Sequence, residues 1–197
     1  MSAQRLPLNP DPGLRAYVVG LAIGDGNLSN PNGRAVRLRI TCDTKYPALI
    51  AKIRGTLQDL LPENKVSLIR SKGNYVTLSV YSNRLEPLLG WRASGGSKRT
   101  QSVGVPAWIC EDRALSINCL RGLIETDGAV YHDRGYPMVI FSTVMPELAT
   151  QVDQMIRKLG FRCRLYRTRR ADSSYKYQVR LSRDVLSFLE VVRPMKA

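Results

Sequence analysis

Two short stretches of this sequence end alike. Residues 18–26 read VVGLAIGDG and residues 120–128 read LRGLIETDG, so Asp25-Gly26 and Asp127-Gly128 each stop a helix-like amphipathic run. A helix C-terminus carries partial negative charge and disfavours an anion, so a carboxylate placed there calls for a reason. Gly20 and Gly24 stand four apart, as do Gly122 and Thr126, which puts each small pair on one helical face. If those faces pack together, Asp25 and Asp127 arrive side by side. Crowded carboxylates repel, and one takes up a proton unless a cation neutralises both. A hard divalent ion such as Mg²⁺, with Ca²⁺ or Mn²⁺ as substitutes, binds through one or two carboxylates plus substrate phosphates. Metal-assisted phosphodiester hydrolysis uses all these parts. One Asp-Gly after a helix is an ordinary terminal turn. Two copies with the same small-residue approach are harder to assign to turns alone.

The elements that must position the two acids repeat as well. After Gly26, RAVRLRITCD alternates Val36, Leu38 and Ile40 against Arg37, Arg39 and Thr41, the period of a strand. KYPALIAKIRGTLQDLLP reads as a helix, KVSLIRS and NYVTLSVYS as two strands around a Lys72-Gly73-Asn74 turn, and RLEPLLGW as a closing helix. The second half repeats this order with YPMVIFST, MPELATQVDQMIRKLG, FRCRLYRT, YKYQVRLS and DVLSFLEVV. Each half therefore reads α-β-β-α-β-β-α, an α+β fold of two pseudo-symmetric halves. The expected boundaries are 1–91 and 107–197, joined by the basic, Gly- and Ser-rich segment 92–106.

Composition narrows the partner. The 197 residues carry 30 Lys plus Arg against 16 Asp plus Glu, a net charge of +14, which points to a polyanion and first to nucleic acid. No run reaches the roughly 18 apolar residues needed to span a bilayer. The start, MSAQRLPLNPDPG, lacks the apolar core of a signal peptide, so an intracellular, non-secreted protein is expected. Cys42, Cys110, Cys119 and Cys163 lack paired spacing and His132 is the sole histidine, so buried thiols are expected rather than a zinc site.

LRGLIETDG and VVGLAIGDG resemble the two signature motifs of the LAGLIDADG homing endonucleases, the second half closely and the first through Gly-Leu and Asp-Gly. The resemblance implies a monomer of two αββαββα halves, with the signature helices packed at the centre and two saddle-shaped antiparallel sheets lying along a long DNA site. It implies that each signature Asp binds metal and serves one strand, with cleavage across the minor groove leaving short 3′ overhangs. Carried onto this chain, the acids are Asp25 and Asp127. Gly26 and Gly128 form the turn after them, and carbonyls of these glycines or of Gly24 and Thr126 assist the metal. A family Lys commonly follows the closing helix of each half. Lys98 and Lys196 stand at matching places, with Arg99 as a competitor for Lys98, where a cation would stabilise the pentavalent phosphorus or polarise water. Where the family often places a water-ordering Gln, at the end of the second strand, this chain has Cys42 and Thr143. Glu125 stands at a signature position often held by an acid, but Ile23 takes that place in the first half, so Glu125 is expected to be a solvated or packing-edge residue.

Strand alternation supplies the rest of the expected interface. Arg37, Arg39, Thr41, Lys65, Ser67, Tyr75, Thr77, Ser79 and Tyr81 face outward in the first half. Arg162, Arg164, Tyr166, Lys176, Gln178, Arg180 and Ser182 do so in the second. Arg and Gln read base edges while Lys holds phosphate. Lys72 and the loop residues Asn27, Ser29, Asn30, Asn32, Arg34, His132 and Arg134 extend the contact at the sheet ends. The expected function is site-specific cleavage of double-stranded DNA with no covalent intermediate. The chain lacks the terminal pattern of a self-splicing host, so a free or intron-encoded enzyme is expected. An RNA maturase acting on intron RNA, a non-catalytic DNA binder on the same scaffold, and an unrelated basic protein with structural Asp-Gly turns are the alternatives.

Overall fold

In the computed structural model, which describes residues 8–196, chain order sets the architecture. The first half runs α1 (Pro12–Asp25), β1 (Gly26–Ser29), β2 (Arg37–Asp43), α2 (Pro47–Leu60), β3 (Ser67–Arg70), β4 (Tyr75–Tyr81) and α3 (Leu85–Leu89). The second adds a short α4 (Ala107–Cys110), then repeats the order as α5 (Arg113–Asp127), β5 (Gly128–Asp133), β6 (Tyr136–Thr143), α6 (Pro146–Lys158), β7 (Cys163–Arg169), β8 (Tyr175–Leu181) and α7 (Val185–Val192). Each half folds into a four-stranded antiparallel sheet with the same topology, β1-β2-β4-β3 and β5-β6-β8-β7. Two α+β halves of αββαββα order are therefore present. The opening segment 1–7, on which the signal-peptide reading partly rests, lies outside the described residues, as does Ala197.

Both signature helices begin at an aspartate cap. Asp11 accepts from the amides of Gly13 and Leu14 ahead of Pro12, and Asp112 accepts from the amide of Leu115. The helices then pack on each other along their small residues. A Cβ at Gly20 would run into the carbonyl of Cys119, one at Gly24 into the side chain of Thr126, and one at Gly122 would lie 2.6 Å from the carbonyl oxygen of Tyr17. This close approach buries Ala16, Val18, Val19, Leu21, Ala22 and Ile23 on one helix and Cys119, Leu120, Leu123 and Ile124 on the other. Around them, Leu38, Ile40, Leu78 and Val80 from the first sheet and Val139, Phe141, Val179 and Leu181 from the second complete one core. Each such side chain contributes about 1.5–3 kcal/mol through burial.

The sequence reading needs correction at several points. Asn27, Ser29 and His132 are strand residues, not loop residues, because β1 and β5 are drawn into the sheets by pairing with β2 and β6 despite a Gly-, Asn- and Ser-rich β1. His132 lies opposite Pro137 and shares the parity of the core residues Val139 and Phe141, so it is exposed on the side opposite the arginines. Ser79 points outward by register but is only 4 % exposed, since it lies on a central strand between Arg39 and Ser67. The Asp-Gly pairs form no left-handed turn. Gly26 (φ −79°, ψ 148°) and Gly128 (φ −96°, ψ 163°) are extended, and each helix passes straight into a strand. Glycine is required there by space: a Cβ at Gly128 would sit 2.6 Å from the Cα of Ile124, and one at Gly26 would meet the backbone of Ala22.

Candidate metal and nucleic-acid site

The packing of Gly24 against Thr126 brings the C-termini of α1 and α5 together, and with them Asp25 and Asp127. Both carboxyls are held above their ordinary pKa. For Asp127, burial comes first and the charge of Asp25 second, against the pull of Lys98 and then Lys196, and its pKa rises to about 6. Asp25 is raised by burial too, against the pull of Lys196 and then Lys98. The expectation of crowded carboxylates at two converging helix ends is met in this electrostatic sense.

Each helix end is also met by an ammonium group. Lys98 Nζ donates to the carbonyls of Ala22 (3.3 Å), Ile23 (2.5 Å) and Gly24 at the end of α1. Lys196 Nζ donates to the carbonyl of Thr126 (3.2 Å) at the end of α5 and lies 5.5 Å from the ring centroid of Tyr46. The two cations oppose the negative ends of the helix dipoles that the acids worsen. Their electrostatic pairing crosses the molecule. Lys98, which follows the first half, acts most strongly on Asp127, while Lys196, which follows the second, is the strongest charged influence on Asp25. Burial holds the Lys98 ammonium below its ordinary pKa, with Asp127 and Asp25 opposing that fall.

Two composite centres result. One is a cleft of about 710 Å³ lined by Asp127, Lys98, Arg99, Ser142, Thr143, Arg170 and Lys176, with Ile23 and Gly24 at its wall. The other gathers Asp25, Lys196, Tyr46 and Cys42. The Cys42 thiol is pushed up to about 11 by burial and by Asp25, so it is a neutral group rather than a nucleophile. Thr143 is spent on the amide of Met145, to which its hydroxyl oxygen accepts at 3.2 Å. Neither position supplies a side-chain amide to order water.

Among the described residues no group of three or more His, Cys, Asp or Glu side chains forms a metal cluster. A cation here would rest on Asp25 and Asp127, with water and phosphate completing it; the Gly24 and Thr126 carbonyls, expected to assist, instead accept from Lys98 and Lys196. That donor set is all oxygen, which fits Mg²⁺, Mn²⁺ or Ca²⁺ and disfavours soft metals.

Outward from the centre, the predicted interface residues fall into two sets. On the first sheet Arg39 donates to Asn27 Oδ1 (2.9 Å) and Arg37 to Ser29 Oγ (3.2 Å), with Arg37 5.9 Å from the Tyr81 ring centroid. Thr41, Ser67, Tyr75 and Thr77 share that face by register. On the second, Arg164 lies opposite Arg180, Tyr166 opposite Gln178 and Thr168 opposite Lys176. Arg180 pairs with Asp133 (3.1 Å), and Gln178 donates to Ser142 Oγ (3.3 Å). Arg162 joins Arg164 and Arg180 in a second cleft. Asn30, Asn32, Arg34, Lys65, Lys72 and Arg134 stand exposed outside the strands.

Sequence reasoning missed Tyr46, Ser142, Arg170 and the exposed Ile69 on the first sheet's outer face. It also misplaced Glu125, which is 2 % exposed and not solvated. Its Oε2 accepts from the Tyr17 hydroxyl (2.5 Å) and its Oε1 from the Met195 amide (2.8 Å). The signal that could have found it was its place one turn from the helix end and facing α1.

Comparison with known proteins fits this architecture. Residues 115–193 match the family described as LAGLIDADG-like domain, and residues 14–90 match the WhiA LAGLIDADG-like domain. The crystal structure of I-DmoI in complex with DNA and Mn is 20 % identical, covers 92 % of this chain and 96 % of that chain, and superposes with a TM-score of 0.69. The N-terminal LAGLIDADG domain of DUF199/WhiA is 13 % identical over 95 % of this chain and 86 % of that one, with a TM-score of 0.58. Structures of I-DmoI with Mg and with Ca share the fold as well. At these identities the likeness establishes the fold. The ATP-dependent DNA helicase Hel308 of Thermococcus kodakarensis is 28 % identical over 184 residues, covering 90 % of this chain but 16 % of that protein. The chain thus spans about a sixth of that curated relative. No helix among the described residues is long and apolar enough to cross a membrane. With one family match in each half and the two signature helices packed at the centre, this chain is built of two LAGLIDADG-like domains.

Proposed function

We propose that the protein is a metal-dependent endonuclease that binds a long duplex DNA site along its two sheets and hydrolyses both strands. One strand is cut beside Asp127 and Lys98, the other beside Asp25 and Lys196, so a single chain supplies both centres. The observation that carries this reading is the meeting of both acids with two ammonium groups at the paired helix ends, Asp127 sharing a cleft with Lys98 and Asp25 drawn most by Lys196, between two arginine-bearing sheets. A divalent ion would be held by Asp25 and Asp127, and it would supply activation of water and neutralisation of phosphate charge. The chain's own groups do the rest. Lys98 and Lys196 place fixed positive charge where the attacked phosphorus gains negative charge. Arg37, Arg39, Arg164 and Arg180 hold and read the duplex on either side; Ser29, Asn27 and Asp133 fix the guanidinium directions of Arg37, Arg39 and Arg180, and Ser142 fixes the amide of Gln178.

Incubation with a library of randomised duplexes and Mg²⁺ tests the proposal. Recovery of one cut sequence, lost in Asp25→Asn and Asp127→Asn while binding persists, supports it; the absence of any cut duplex overturns it. A second reading, an RNA maturase or a non-catalytic DNA binder on this scaffold, is favoured by Cys42 and Thr143, neither of which orders water, and by the WhiA match of the first half. Tight, uncut complexes with intron RNA or with duplex DNA would establish it instead.

A further inference from the structure

The two lysines reach their places by different means, and only one has a buried acid behind it. Lys196 rides on the chain end that follows α7. Three contacts hold that end against α5, and a fourth, from Tyr17, holds Glu125 itself. Arg121 Nε donates to the Val192 carbonyl (2.6 Å), the Met195 amide donates to Glu125 Oε1 (2.8 Å), the Tyr17 hydroxyl donates to Glu125 Oε2 (2.5 Å), and Lys196 Nζ donates to the Thr126 carbonyl (3.2 Å). Glu125 therefore ties three segments together: its own helix, the facing helix α1 through Tyr17, and the residue directly before Lys196. In the first half Ile23 occupies the equivalent place and is fully buried. Lys98 sits instead on a loop organised by Gln101, whose amide spans the Arg92 backbone and the Gly96 carbonyl.

We infer that Glu125 is a positioning residue that clasps the chain end so that Lys196 reaches the Asp25 centre, and that it serves this centre alone. The inference rests on the nuclease reading for its kinetic consequence, but its structural content does not. A long Lys side chain loses rotamer freedom when it is held in one place. A clasp one residue away fixes the backbone from which it hangs.

The test measures strand-resolved nicking and amide hydrogen exchange on the full chain for wild type, Glu125→Ala, Lys196→Ala and the double variant. The strand slowed by Lys196→Ala identifies the Asp25 centre. Glu125→Ala, which removes both acceptors, is expected to slow that same strand about tenfold, to leave the other within about twofold, and to add little in the Lys196→Ala background. Its Met195 amide is expected to exchange at least about tenfold faster than in wild type. Equal slowing of both strands, effects that multiply in the double variant, or unchanged Met195 exchange would overturn the clasp. If Glu125→Ala does not fold, Glu125→Gln, which keeps an acceptor for the Met195 amide but loses the charge, is read by strand-resolved nicking alone, and equal slowing of both strands overturns the clasp. Should the wild type cut no duplex, the nuclease reading fails, and Met195 exchange alone decides the clasp.

Discussion

The two ends of the signature-helix pair share a backbone plan and differ in everything that surrounds it. At the end of α1 stand Asp25, a buried Ile23 and a lysine from an internal loop. At the end of α5 stand Asp127, a buried Glu125 and a lysine from the chain end. Asp127 lines a cleft with Arg99, Arg170 and Lys176, whereas Asp25 acts on a neutral Cys42 and is drawn by Lys196, which lies over the Tyr46 ring. Duplication preserved the approach of the helices, which leaves no room for a Cβ, and released the periphery. The lesson is that symmetry here is held by packing and relaxed in chemistry, so the two halves are expected to fold alike and to act unequally.

The largest effects should fall on what the halves share. Asp25→Asn and Asp127→Asn are each expected to cut nicking by about 10³-fold or more while leaving duplex binding intact, measured by single-turnover cleavage and by gel shift. Retention of activity in either would show that the acid replaced is not needed for metal-assisted cleavage. Packing comes next. Gly20→Val should destabilise by about 2–3 kcal/mol in a denaturant melt, because its branches would press on the Cys119 backbone. Gly55→Ala, on α2 with open space around its Cβ, should stabilise by about 0.5–1 kcal/mol.

The lysines sharpen the difference between the halves. Lys98→Ala is expected to slow one strand and Lys196→Ala the other, each about 100-fold, in strand-labelled cleavage. If both variants slowed the same strand, the crossed pairing would be wrong.

The smallest expected effect is electrostatic. Asp127 is raised from 3.8 to about 6, by burial first and by Asp25 second. The folded state thus holds a proton that the unfolded chain has released, and this group's contribution to stability falls as pH rises from about 4 to about 6, then stays level. Asp127→Asn should therefore raise the thermal midpoint by a few degrees at pH 7.5 and by little at pH 4. Mg²⁺ should raise the wild-type midpoint at pH 7.5 and leave that of the variant nearly unchanged. Scanning calorimetry at both pH values reads the difference.

Much of this arrangement was legible in the residues. Small residues four apart and strict strand alternation are local patterns, and they dictated the central helix pair and the outward rows of Arg37, Arg39, Arg164 and Arg180. What escaped was set by register and by distant segments. Asn27, Ser29 and His132 looked like loop residues because β1 and β5 become strands only by pairing with β2 and β6. Ser79 has the right parity for exposure but the wrong strand, a central one. Glu125 looked like surface because its partners, Tyr17 and Met195, lie far from it in sequence. The glycines after the acids were foreseen for the wrong reason, a turn rather than a contact with the preceding helical turn.

The central claim is that Asp25 and Asp127, one from each half, converge on a divalent-cation site beneath bound DNA. Anomalous diffraction from crystals of the protein with its cut-site duplex and Mn²⁺ tests it most directly. The account predicts manganese signal between the Asp25 and Asp127 carboxylates, with scissile phosphates of both strands adjoining it. Manganese bound away from these two acids, or duplex lying on the α2 and α6 side of the molecule, would contradict it.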